Sequence, residues 1–163
     1  MKTLILFRHG KSDWNAKYRK DYERPLAKRG ILASKKMGIY LAGKNQIPDM
    51  VISSPSNRTY NTAKLAIEAG NWGSVSILSN CLYLTSQSTI LSLLSKQKNE
   101  YSSICIVGHE PSLSSFIENQ TSEGNVKYPT GTMAMINFDI DYWCKMGIGK
   151  GILKWLKRPK EIL

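Results

Sequence analysis

Short, almost wholly apolar runs alternate along this chain with longer segments of helical periodicity. No other feature restricts the available folds so much. Thr3–Phe7 is a near-continuous apolar run ending at Arg8, as expected of a strand buried on both faces. Residues 28–43 read as a helix with Ile31, Leu32, Met37 and Leu41 as core positions and Gly43 near its end. Met50–Ser53 is a second strand, entered through Pro48 and Asp49. Ser54-Pro55 then opens a helix reaching about Gly70, with Ser54 as N-cap and Pro55 in the first turn. Val75–Leu78 reads as a short strand, Ser88–Lys96 as a helix carrying Ile90, Leu91, Leu93 and Leu94, and Ser103–Val107 as another buried strand. Pro111 opens a further short helix. Met133–Phe138 and Gly151–Leu156 then read as strands separated by a turn holding Asp139, Asp141 and Gly147. Alternation of this kind predicts an α/β fold, a three-layer α/β/α sandwich with a mostly parallel central sheet.

The length of 163 residues points to a single domain over 1–163. A chain of this size removes roughly 70% of its unfolded surface from water, so it needs no staples. No apolar run reaches the ~20 residues that span a bilayer. Thr3–Phe7 is too short for a signal-peptide core and lacks a small-residue cleavage site behind it. Cys81, Cys105 and Cys144 are odd in number and show no paired spacing, which fits a reducing cytoplasm and no metal knuckle. The expected location is cytoplasmic, away from membranes.

The net charge of +11 is concentrated at the two ends. Residues 1–36 hold 11 basic and 3 acidic side chains, residues 37–144 hold 6 and 8, and residues 145–163 hold 6 and 1. A nucleic-acid face, recruitment of an anionic substrate and a merely solvated basic surface all accommodate that distribution, and charge alone does not choose between them. The lysines are evenly spread without aromatic interleaving, which speaks against nucleic acid. The four tryptophans, Trp14, Trp72, Trp143 and Trp155, show no stacking pattern with the basic residues and read as core or edge packing.

In open α/β sheets ligands bind outside the carboxyl ends of the strands. Three such ends carry Arg8-His9-Gly10-Lys11-Ser12, Ser53-Ser54-Pro55-Ser56-Asn57-Arg58 and Gly108-His109-Glu110-Pro111. The chain has two histidines, and both fall at these positions, with Arg8 and Arg58 on the same rim. Guanidinium forks grip phosphate oxygens, and helix starts favour an anion. A neutral imidazole can attack phosphorus and carry the phosphoryl group, while a protonated one stabilises the charge that develops. This set serves phosphoryl transfer without a metal or other cofactor. Gly10 would let backbone approach the ligand. Lys11, Ser12 and Asn57 can add donors, although these are also ordinary solvated or turn residues.

The same pieces resemble the histidine phosphatase superfamily, which includes the cofactor-dependent phosphoglycerate mutases and acid phosphatases, and within it the short SixA-type phosphohistidine phosphatases. The resemblance rests on Leu6-Phe7-Arg8-His9-Gly10-Lys11-Ser12, Arg24-Pro25-Leu26 followed by Arg29-Gly30, Ser53-Ser54-Pro55 with Arg58 and Thr59–Ala63, and Val107-Gly108-His109-Glu110-Pro111. Shorter matches are Leu82-Tyr83 and Pro129-Thr130-Gly131-Thr132. It implies a phosphoglycerate mutase-like sandwich and a metal-independent phosphatase that works through a phosphohistidine on His9. Arg8, Arg58 and His109 would complete the pocket, and Arg24 would be a further phosphate ligand. Larger members carry an acid in an inserted segment that protonates the leaving group. Between Gly73 and Glu100 this chain has none. Asp13, Asp21, Glu23 and Glu110 remain as stand-ins, with Glu110 the best placed as a proton donor.

The expected substrate is a protein phosphohistidine or a small phosphoester. A mutase or sugar bisphosphatase on the same chemistry is the alternative enzyme, and a phosphate-binding module without turnover the alternative outside catalysis. The oligomeric state is not legible in the sequence.

Overall fold

A computed structural model describes residues 1–162. Ten main elements follow in order: β1 (Lys2–Arg8), α1 (Lys28–Gly43), β2 (Met50–Ser53), α2 (Asn57–Gly70), β3 (Val75–Leu78), α3 (Gln87–Ser95), β4 (Ser103–Gly108), α4 (Ser112–Gln120), β5 (Met133–Phe138) and β6 (Ile152–Lys157). The strands form one six-stranded sheet in the order β3-β2-β4-β1-β5-β6. The β1–β4, β2–β4 and β2–β3 pairs are parallel, and the pairs made by β5 are antiparallel. The sheet is therefore mostly parallel, as expected.

Alternate residues of each central strand feed two separate cores, because successive side chains point to opposite faces. Leu4, Leu6, Ile52, Ile104 and Ile106 pack with Ile90 and Leu94 of α3 and Leu113, Phe116 and Ile117 of α4. Ile5, Phe7, Val51, Cys105 and Val107 pack on the other face with Met37 and Leu41 of α1 and Ala63 and Ala66 of α2. Burial on both faces explains why these strands read as unbroken apolar runs. β3, at the sheet edge, is exposed throughout.

Two local expectations are corrected. Helix α2 begins at Asn57, not at Ser54-Pro55, and its N-cap residue is Ser56. Thr59 Oγ1 donates to the Ser54 carbonyl at 2.8 Å, and the Ser54 hydroxyl meets His109, so residues 54–56 form a turn held open for that contact. On α1, Leu32 is 58% exposed, and the buried face is Gly30, Ser34, Met37, Gly38 and Leu41. Small residues won that face because α2 lies very close. A Cβ placed on Gly38 would stand 2.2 Å from the Ala66 carbonyl oxygen, and the Gly38 carbonyl also accepts from Trp72 Nε1 at 3.0 Å.

Gly38→Ala should therefore force the two helices apart. Overpacking of this kind costs about 1–3 kcal/mol, to be read as a lower urea midpoint. An unchanged midpoint would show that α1 and α2 do not pack as described.

Candidate active site

The pairing register sets the site. Arg8 pairs with Gly108, and Ser53 with Val107, so β1, β4 and β2 end at one level of the sheet. The next residues along the three strands are His9, His109 and Ser54. The two imidazole centroids lie 5.3 Å apart. His109 Nε2 is 2.9 Å from the Ser54 hydroxyl, and the Tyr83 ring meets the His109 ring edge-on at 5.6 Å.

The loop after β1 is held by backbone contact. A Cβ on Gly10 would fall 2.6 Å from the Gly30 carbonyl oxygen, and the Gly10 N–H donates to Thr62 Oγ1 of α2 at 3.0 Å. Gly10 thus permits the approach of α1, a role the sequence reading did not give it. Its carbonyl has a second use, accepting from His9 Nδ1 at 2.7 Å.

Arg24 reaches the site because its segment pairs with that same loop. Ser12 bridges to Leu26, the Ala27 N–H donates to the Lys11 carbonyl, and the Asp13 N–H donates to the Pro25 carbonyl. The Arg24 guanidinium stacks on Trp14 at 3.6 Å, which corrects the view that no tryptophan stacks on a basic residue.

The pocket has a volume of about 550 Å³, and Arg8, His9, Lys11, Ser12, Arg24, Arg58 and His109 all line it. Arg24 and Arg58 are only 5% and 7% exposed. Arg8, Arg24 and Arg58 each keep a buried Nε with no hydrogen-bond partner among the described residues. Guanidinium donors lining a pocket in this way are suited to an incoming anion. Asn57 is not part of this lining. Its carbonyl and side-chain oxygen both accept from Asn61 Nδ2.

Two acids offered as stand-in proton donors are otherwise engaged. Both Glu110 carboxylate oxygens accept from Ser114, one from its N–H and one from its hydroxyl, each at 2.7 Å, so Glu110 caps α4. Asp21 bridges Arg24 and Arg58, accepting from Arg58 Nη2 at 3.0 Å and from the Tyr83 hydroxyl at 2.9 Å. Partial burial works to raise the Asp21 carboxyl, but Tyr83, Arg58 and Arg24 outweigh it and bring it down to about 2. Asp13 and Glu23 bond locally, to the Asn15 N–H and to Arg19. No group of three or more His, Cys, Asp or Glu side chains among the described residues is arranged to hold a metal ion.

Both imidazoles are driven towards the neutral form. Burial is the main cause for His9, opposed by the Gly10 carbonyl and aided by His109, Arg58 and Arg8, and the result is about 3. Burial also leads for His109, with Arg58 next and Asp21 opposing, and lowers it to about 4.

Sequence reasoning did not foresee the roles of Ser54, Tyr83 and Trp14, nor Asp21 as the link between two arginines. Ser54 sits in the Ser-Ser-Pro turn and Tyr83 in a short family match. Nothing in the residues around Asp21 marks a partner 37 positions away.

Residues 4–79 match the family model described as "Histidine phosphatase superfamily (branch 1)". A 2,3-bisphosphoglycerate-dependent phosphoglycerate mutase of Mycobacterium leprae is 38% identical over 72 residues, which cover 43% of this chain and 29% of that enzyme. The match thus spans less than a third of that curated relative. Among solved structures, the protein histidine phosphatase SixA complexed with tungstate superposes with a TM-score of 0.84 over 98% of both chains at 22% identity. A candidate phosphohistidine phosphatase SixA of Agrobacterium tumefaciens does so with a TM-score of 0.83 at 24% identity, covering 97% of this chain and 98% of its own. At these identities the structural likeness shows the shared, phosphoglycerate mutase-like fold. The family match brings in His9, Arg24 and Arg58 in order, so over just under half of its length this chain is similar to the histidine phosphatase superfamily.

Proposed function

We propose that this protein is a phosphatase that takes the phosphoryl group of a phosphoprotein, phosphohistidine above all, onto His9 and then releases it to water. The contact between His9 Nδ1 and the Gly10 carbonyl carries the reading. A carbonyl oxygen only accepts, so Nδ1 holds the ring proton and Nε2 keeps its lone pair. With His9 lowered to about 3, that lone pair is free at any physiological pH.

The rest of the site fits this nucleophile. Arg8, Arg24 and Arg58 line the pocket and bring guanidinium donors to non-bridging oxygens. Charge stabilisation and positioning are what phosphoryl transfer chiefly requires. His109 is neutral in the free protein, so it takes up its proton as the phosphate dianion arrives and then donates to an oxygen. Nε2 forms a bond to phosphorus while the bond from phosphorus to the leaving nitrogen breaks. The leaving imidazole, protonated beforehand on its other ring nitrogen, departs neutral with the electron pair on the nitrogen that held phosphorus. Water next attacks phosphorus, the bond to Nε2 returns its pair to His9, and the proton of water leaves with the phosphate.

Asp21, held ionised, and Glu110, engaged by Ser114, offer no proton to an alkoxide. This favours a phosphoramidate over an alkyl phosphate. At the mouth, Trp14 is 62% exposed and Leu84 86% exposed, an apolar rim that a macromolecular substrate would cover. The likeness to phosphoglycerate mutases favours a second reading, phosphoryl exchange between positions of one small molecule. Transfer between two hydroxyls of a phosphosugar or phosphoglycerate, without release of phosphate, would support it.

His9→Ala should abolish turnover of a phosphohistidine peptide while leaving the circular dichroism spectrum intact, and retained turnover would refute the reading. Arg58→Ala should lower kcat about 10²- to 10³-fold, the usual cost of one such donor. EDTA should leave the rate unchanged.

Protonation gives a separate check. The folded state holds both imidazoles below the ordinary 6.5. Their contribution to stability is therefore full above pH 6.5 and is lost as pH falls towards 4 and then 3. In NMR titrations neither imidazole of the free protein should titrate between about pH 5.5 and 8. Added inorganic phosphate should raise His109. An imidazole titrating near 6.5 without the anion would contradict this protonation scheme.

A further inference from the structure

The two basic ends of the chain meet beside the catalytic pocket. The short turn Pro159–Glu161 after β6 packs on α1, and Lys36 Nζ of α1 donates to the Ile162 carbonyl at 3.1 Å. Between them runs a groove of about 440 Å³ that shares Lys11 and Thr130 with the pocket. Leu32, Ala33, Pro129 and Pro159 give it an apolar lining. Arg29, Leu32 and Lys36 lie on one face of α1 at three- and four-residue spacing. Arg158 and Lys160 stand on the opposite side.

The charge here is largely unspent. Arg158 pairs with Glu161 at 3.3 Å and donates to the Lys127 carbonyl. Lys11, Arg29 and Lys160 make no ion pair among the described residues. Glu161 is the one acid of the last 19 residues, and its carboxylate is held by Arg158.

We propose that this groove docks an acidic, amphipathic segment of the phosphoprotein substrate, next to the residue whose phosphoryl group enters the pocket. Carboxylates would meet Arg29, Lys11 and Lys160, and an apolar side chain would lie over Leu32 and Pro159. The inference rests on the phosphatase reading and names how its substrate is held. A second phosphate of a small molecule would find donors at the edges only, over a floor that has none. A single-stranded nucleic acid would find no aromatic side chain on which to stack. A cationic rim over an apolar floor instead matches an amphipathic segment of opposite charge.

The test uses the full chain, wild type and the double variant Arg29→Glu with Lys160→Glu. Fluorescence anisotropy would follow an unphosphorylated peptide of alternating Glu and Leu, the same peptide with Gln for Glu, and a single-stranded oligonucleotide of equal charge. Turnover of nitrophenyl phosphate would be measured in parallel. The Glu peptide should bind wild type at least about tenfold more tightly than the Gln peptide, and the double variant should lose that preference. Its affinity should also fall between ~50 and ~300 mM salt. Nitrophenyl phosphate turnover should be the same in both proteins. Equal binding of the two peptides, an undiminished preference in the variant, or tighter binding of the oligonucleotide would each overturn the docking site. Absence of nitrophenyl phosphate turnover in wild type would strike the phosphatase reading instead, while the binding result would still decide the groove.

Discussion

Three parallel strands ending at a common level are the constraint on which the rest depends. The β1–β4 and β4–β2 ladders hold Arg8 opposite Gly108 and Ser53 opposite Val107. A slip of one residue in either ladder would turn every side chain of that strand to the other face. It would exchange the members of two cores that are both buried. Burial on both faces therefore fixes the height at which His9, Ser54 and His109 leave the sheet. The geometry of the imidazole pair is thus enforced from the middle of the protein, not assembled locally on loops.

Around that pair the protein maintains an imbalance of charge. Three guanidiniums and two imidazoles crowd one pocket, with Asp21 bridging two of the arginines and Glu110 turned to the start of α4. The depressed histidines show first the cost of burial and then that of the crowding: adding another positive charge there is unfavourable. A dianion reverses that balance. Under the proposed function it would accept from the guanidiniums that line the pocket and favour protonation of His109. Asp21, on an exposed short turn, holds Arg24 and Arg58 in place meanwhile.

Much of this was legible beforehand, for a physical reason. Buried parallel strands write their burial as continuous apolar runs, and function collects at their carboxyl ends, so Arg8, His9 and His109 stood where a strand-end search looks. Arg24 became a candidate through family resemblance alone, because its position depends on the Ser12–Leu26 bridge, which leaves no periodic trace. Leu32 was misread as core. Its periodicity is right for a helix face, but the approach of α2 at Gly38 turned a neighbouring stripe of small residues inward. The same rotation leaves Leu32 exposed among cations. The start of α2 was placed too early, which follows from treating Ser54 as a cap when its hydroxyl belongs to His109.

The most direct measurement of the central claim is to trap the phosphoenzyme by rapid quench in alkali after mixing with a phosphohistidine peptide, then locate the label by ³¹P NMR and mass spectrometry. The account predicts an acid-labile phosphoryl group on Nε2 of His9, because Nδ1 is held by the Gly10 carbonyl. Phosphate on Nδ1, on another residue, or turnover with no phosphoenzyme at all would contradict it.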